Sequence, residues 1–441
     1  MLPELECLSA GVSRLKTQSR VGRVTRISPS VIQVTGLSDV ARIGDEVVIR
    51  RKDCPPLEAE VIAINDSEIT LLPEDNPKNI TLFDKVILLG EREIFPDPSW
   101  LGRVIDPRGK PLDNIPITSG TVAVPIDSPP PSLRLRRPLG ERKATGLAAL
   151  NTVLPVVEGQ RVGLFAGSGV GKSMMLGRLA RSMEADVTIV ALIGERGREV
   201  QDFVRTTLGK HGMQRTIVVA ATSDMPAILR RKCAKTAMAL AEYFRDRGNQ
   251  VLLLADSITR FAEAHREISS AAGELSALRG FPASTSQQIM QLCERAGPGV
   301  GDSGDITAVM TVLVEGSDFD GPIADTMRGV LDGHIVLSRD IAERGRFPAI
   351  DLLRSVSRSL PHAASESENA LITEVRSLLG SYERSEAMVR SGLYAPGTDA
   401  VLDRAVALWP ALDTFMGQTS DAGVAESFLK LRACLAPHPS G

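Results

Sequence analysis

No run of eighteen apolar residues occurs in this 441-residue chain, so no segment reads as a membrane-crossing helix. Its N-terminus also lacks the basic-then-apolar layout of a secretory signal. The five cysteines (Cys7, Cys54, Cys233, Cys293 and Cys434) are scattered, without a C-x-x-C pair, which argues against a disulfide framework or a zinc site. Aromatic residues make up 4%, leaving few ring platforms for stacking unpaired bases. A basic excess is missing too: 51 Lys and Arg stand against 54 Asp and Glu, a net charge of −3, which disfavours a broad nucleic-acid grip. Neither an internal repeat nor a low-complexity tract is visible. These absences lead to the expectation of a protein kept in the cytoplasm, able to sit on a membrane surface and binding no nucleic acid.

The most informative stretch runs from Ala166 to Ser173 and reads A-G-S-G-V-G-K-S. Gly167, Gly169 and Gly171 allow successive backbone N–H groups to turn around a polyphosphate, with Ser168 and Val170 between them. Lys172 can reach the β- and γ-phosphates, and the Ser173 hydroxyl can serve Mg²⁺. Ala166 replaces the glycine of the strict motif. An apolar run precedes the loop, and leucines and methionines at helical spacing follow it, so the loop should open a helix whose N-terminus favours anions. ATP with Mg²⁺ is the expected ligand pair.

Two carboxylates end apolar strand candidates downstream. Asp256 closes Val251-Leu-Leu-Leu-Ala-Asp256, the place from which phosphate-loop enzymes hold Mg²⁺ through its water shell; its alternative role is a helix cap. Glu195 follows Val187 to Gly194, at the strand edge where open α/β sheets bind ligands. It could polarise the water attacking the γ-phosphate, or simply pair with Arg196 or Arg198.

Four regions are expected. Residues 1–20 carry leucines and Val12 at helical intervals, an amphipathic helix for its own domain or for a partner. Short alternating segments over 21–92 suggest a small β-barrel, acting as an oligomerisation collar. Residues 93–361 alternate β and α signals, with strands expected at 161–165, 187–193, 216–220, 250–255, 306–314 and 334–337, hence a parallel sheet under helices. Residues 362–441 read as helical only, at 366–379, 382–391, 399–417 and 422–435. Pro129-Pro130-Pro131 marks a stiff connector, and Arg134-Leu-Arg136-Arg137 behind it reads as a solvated linker.

Several strings carry a family resemblance. Gly194-Glu-Arg-Gly-Arg-Glu-Val200 and Pro348-Ala-Ile-Asp351 with Ser355-Val-Ser357 resemble the rotary ATP synthase α/β superfamily. Asp256-Ser-Ile-Thr-Arg260, Val314-Glu-Gly316, Pro322-Ile-Ala-Asp325 and Ala407-Leu-Trp-Pro410 are most similar to the flagellum-specific export ATPases of type III secretion. The likeness implies a RecA-like P-loop core with a parallel sheet, an N-terminal β-barrel and a C-terminal helical domain, closed into a homohexamer. It further implies Arg196 as a γ-phosphate contact, Arg358 as an arginine finger entering the neighbour's site, and Phe347 as the ring against adenine. Implied partners are a stator-like flagellar regulator at the N-terminal helix, and export chaperones, cargo and a central stalk at the C-terminal helices. The implied location is peripheral, at the cytoplasmic face of the membrane export gate. The pattern breaks over 274–290, where the family's prolines are missing and the loop is expected to be more mobile. Three rival readings remain: an injectisome ATPase of the same machinery class, an RNA-translocating RecA-like hexamer, and a non-catalytic regulatory subunit, the last disfavoured by Glu195.

Overall fold

A computed structural model describes residues 18–314 and 321–436. The amphipathic segment expected over 1–20 falls almost entirely outside the described residues, as does most of Val314-Glu-Gly316.

Six strands close the N-terminal barrel: β1 (Val21–Ile27), β2 (Ile32–Thr35), β3 (Glu46–Arg50), β4 (Leu57–Ile64), β5 (Glu68–Pro73) and β6 (Lys85–Gly90), in the order β1-β2-β5-β4-β3-β6. All neighbours run antiparallel, and alternate residues such as Val24, Ile32, Val34, Val47, Ile49, Ile69 and Val86 fill the interior. That alternation is the period-two signal read from the sequence. Strands β2 and β6 are additions to it. Closure removes the free edges that six short strands would otherwise expose.

Two small strands, β7 (Glu93–Ile94) and β9 (Val124–Pro125), pair with each other and flank β8 (Val104–Ile105), which joins the main sheet at its edge. The main sheet continues with β10 (Arg161–Ala166), β11 (Val187–Glu195), β12 (Thr216–Thr222), β13 (Val251–Asp256), β14 (Ile306–Leu313), β15 (Gly333–Leu337) and β16 (Ile350–Ser357). Its order is β16-β15-β10-β14-β13-β11-β12-β8. Every pairing is parallel except β15–β16. The central strands are buried on both faces, so they read as nearly continuous apolar runs, broken only by residues such as Thr188, Thr307 and Thr311. Helices cover both faces, among them α1 (Lys172–Ser182), α2 (Ala227–Arg245), α3 (Ile258–Ala271) and α4 (Ser284–Arg295).

Three more helices complete the chain: α5 (Glu366–Arg390), α6 (Ala400–Met416) and α7 (Gly423–Leu435). Two separate helices were expected over 366–391, split at Gly380-Ser381. One continuous helix forms instead, capped by Ser365 and Glu368, with Ser381 buried in it. A glycine costs a helix interior about 1 kcal/mol, and packing of Ile372, Val375 and Leu378 on the core outweighs that.

The arginine cluster after the prolines is also not a solvated linker. Arg136 donates to the carbonyls of Glu294 and Ala296, and Arg137 pairs with Asp305 at 2.6 Å. Together they pin this connector to the end of α4 and the loop before β14. The base of the atypical 274–290 loop is held as well, by Glu274 accepting from the Ser284 hydroxyl at 2.6 Å and from its amide at 3.1 Å.

Barrel and core meet through buried charge. Lys232 of α2 lies among Glu46 and Glu74, with Glu60 at 3.4 Å, while Arg231 takes Glu60, Arg92 takes Glu46 at 2.8 Å and Arg108 takes Glu74 at 2.7 Å. Burial works against the Lys232 ammonium, yet the surrounding carboxylates hold it above its ordinary pKa. Burial likewise opposes the Glu74 carboxylate, and the charges of Lys232 and Arg108 hold it below the ordinary value.

Candidate active site

The phosphate loop joins β10 to α1 as the sequence predicts. Gly169 and Gly171 take φ of +77° and +90°, a left-handed backbone that a side chain would strain. Gly171 caps α1, and its carbonyl accepts the Met175 N–H. The helix start therefore presents unpaired N–H groups where the loop turns. Ala166 and Val170 are buried, whereas Ser168, Gly169 and Ser173 face outward. Next to the loop stands Phe347, 39% exposed, whose ring lies 3.0 Å from where a Cβ on Gly171 would sit.

Lys172 reaches back from α1 to two strand ends. Its Nζ is hydrogen-bonded to Asp256 Oδ1 and lies 3.6 Å from Glu195 Oε1. Parallel pairing of β13 with β11 sets Asp256 opposite Leu192, three residues before Glu195, which brings both carboxylates to one edge. The helix after Asp256 is capped by Ser257, which accepts from the Arg260 N–H, so Asp256 is not spent as a cap. Of the two alternative partners of Glu195, Arg196 pairs instead with Glu199 at 3.2 Å, with its side chain 82% exposed.

Burial, and then the negative charge of Asp256, push Glu195 up to about 7, against the pull of Lys172. A carboxylate poised near neutrality suits work on a water molecule. Thr311, in the apolar run of β14, donates to Asp256 Oδ1 at 2.7 Å. Sequence reasoning missed it: a threonine set between Met310 and Val312 stands out as polar, but only strand pairing gives its hydroxyl a partner.

Arg358 is far from this edge in its own chain. Leu337 of β15 pairs with both Ala166 and Ile350, while Gly333 pairs with Ser357. Four residues of strand, about 13 Å, therefore separate the end of β16 from the level at which the loop begins. The exposed Arg358 donates to the Arg328 carbonyl at 3.1 Å.

A cavity of about 520 Å³ lies elsewhere, between the core and α5–α6, lined by residues including Arg344, Arg346, Tyr382 and Trp409. None of the predicted site residues lines it. Among the described residues, no three His, Cys, Asp or Glu side chains are grouped to hold a metal by themselves. One serine and one carboxylate beside a phosphate loop instead fit Mg²⁺, which keeps most of its waters and is completed by substrate phosphates. Among the described residues, no helix is long and apolar enough to cross a membrane.

Residues 146–357 match the nucleotide-binding domain of the ATP synthase alpha/beta family, and residues 364–432 match the T3SS EscN ATPase C-terminal domain. A flagellum-specific ATP synthase of Caulobacter vibrioides is 41% identical over 424 residues, covering 95% of this chain and 96% of the relative. A type 3 secretion system ATPase of Xanthomonas euvesicatoria is 40% identical over 427 residues, 96% of each chain. In structure, the assembled ATPase EscN of enteropathogenic E. coli, solved with its central stalk EscO, is 36% identical with a TM-score of 0.85, covering 94% of this chain and 100% of that one.

Proposed function

Because this chain belongs to the family of flagellum-specific and type III secretion ATPases, we propose that it hydrolyses ATP with Mg²⁺ and drives flagellar protein export. The observation that carries the reading is the loop lysine held between two carboxylates at one sheet edge. That arrangement supports a reading with a cation for phosphate, a carboxylate for the metal and a second carboxylate for water.

In this reading the backbone of residues 166–173 cradles the polyphosphate, and Lys172 exchanges its carboxylate partners for phosphate oxygens. Ser173 and Asp256 would hold Mg²⁺, which supplies charge neutralisation on the phosphates when bound. Glu195 orients the attacking water, and Arg196 swings to the γ-phosphate from its exposed pair with Glu199. Phe347, against the loop's last glycine, stacks on adenine in this reading. Arg358 completes the site of a neighbouring copy, and such a contribution is worth about 10³–10⁵ in rate. Its position at the opposite end of the sheet favours action in trans.

The same reading extends to a homohexamer, with the barrel as collar. A central stalk, chaperones and cargo meet α5–α7, a stator-like regulator meets the N-terminal segment, and the ring sits peripherally at the membrane export gate. Mg²⁺-dependent phosphate release that EDTA abolishes and Lys172→Ala removes would support the activity. Loss of flagella in a strain lacking the chain would support the pathway. The second reading, an injectisome ATPase, is favoured by the EscN-type C-terminal match; intact flagella with lost effector secretion would select it.

A further inference from the structure

Strand β14 lies between the phosphate-loop strand β10 and the Asp256 strand β13. Pairing sets Thr311 opposite Leu164 on one side, and sets Met310 opposite Ala255 on the other, so Thr311 falls beside Asp256. The residue is fully buried. Valine has nearly the same shape and would pack the same space, so the hydroxyl is what distinguishes threonine here. That hydroxyl donates its one proton to Asp256 Oδ1, the same oxygen that holds Lys172. Two residues on, the Leu313 N–H donates to Thr259 Oγ1 at 2.9 Å, which ties the end of β14 to the start of α3, just after Asp256.

Resting on the Mg²⁺–ATP reading above, we propose that Thr311 is a positioning residue that aims the Asp256 carboxylate for Mg²⁺ binding. When Lys172 turns to phosphate, Asp256 loses its charged partner. The Thr311 bond persists and keeps Oδ1 engaged. Among the described residues the side-chain bonds of Asp256 fall on Oδ1, which leaves Oδ2 with free acceptor capacity. Without the hydroxyl, the carboxylate is free to rotate and a polar contact to a charged group is lost, a change that corresponds to about tenfold in affinity.

The test compares the full chain with Thr311→Val and Thr311→Ser, using a fluorescent ADP titrated in EDTA and across a Mg²⁺ series. The expected result is unchanged affinity in EDTA for all three, and a Mg²⁺ requirement raised about tenfold in Thr311→Val. Thr311→Ser, which keeps the hydroxyl, should stay within about twofold of the unaltered chain. Equal Mg²⁺ dependence in Thr311→Val and the unaltered chain would overturn the proposal, as would equal damage from serine and valine. If the unaltered chain shows no Mg²⁺-dependent binding at all, both the metal reading and this proposal fall. Binding that is Mg²⁺-dependent but insensitive to Thr311 sinks only the proposal.

Discussion

The Phe347 ring crowds the space a side chain on Gly171 would enter, with its Cδ1 3.0 Å from the ideal Cβ position. Gly171→Ala therefore meets two obstacles, a φ of +90° and the ring. We expect a loss of about 1–2 kcal/mol in stability and clearly weaker nucleotide binding. In the double variant with Phe347→Ala, part of the stability loss should return because the clash goes while the backbone strain stays. Urea denaturation of the two single variants and the pair measures this; strictly additive losses would show that ring and glycine do not interact.

Glu195 sets a pH dependence. Its pKa is raised from an ordinary 4.5 to about 7, so its stabilising state is the protonated one. That contribution is complete below 4.5 and is lost as pH climbs through 7. In EDTA, Glu195→Gln should thus gain melting temperature relative to the unaltered chain between pH 5 and pH 8.5. The shift caps the gain at about 3 kcal/mol. A constant difference across that range would contradict the burial argument.

Arg358→Ala should leave nucleotide affinity within about twofold and lower turnover by about 10³ or more. Mixing it with Lys172→Ala chains should restore part of the activity, since each partner then supplies what the other lacks. Equal loss of binding and turnover in Arg358→Ala, with no recovery on mixing, would contradict action between copies.

Lys232→Met leaves Glu46, Glu60 and Glu74 buried without their shared cation. Breaking such a cluster costs about 3–5 kcal/mol at neutral pH. Because the pKa of Glu74 is lowered in the native chain, its contribution holds above 4.5 and fades as pH falls through the lowered value. The gap between variant and parent, followed by denaturant unfolding, should therefore narrow in acid. A gap that widened there would refute the ion cluster as the cause.

Much of this molecule could be read before it was seen, and the exceptions have physical reasons. The loop, its lysine and both carboxylates were legible because glycine conformation and strand-end chemistry are local. Strand β16 was not among the expected strands, since Asp351, Arg354, Ser355 and Ser357 interrupt the apolar run of this edge strand. The two-residue β8 carries too little pattern to register. Arg136 and Arg137 looked solvated because their partners, near 294–305, lie over 150 residues away in the chain. The coupling of Lys232 to three barrel glutamates was invisible for the same reason. Thr311 was passed over because a strand tolerates threonine anywhere, and only pairing shows which neighbour its hydroxyl meets.

The two ends of the central sheet carry the loop lysine at one and the Arg358 guanidinium at the other, which the proposed reading assigns to different halves of one reaction centre. A circle built from such copies cannot be mirror-neutral. Each member would be served from one flank and would serve on the opposite flank, so the contacts are head-to-tail. Events passing from site to site around that circle would then have a built-in sense of travel, clockwise or counter-clockwise.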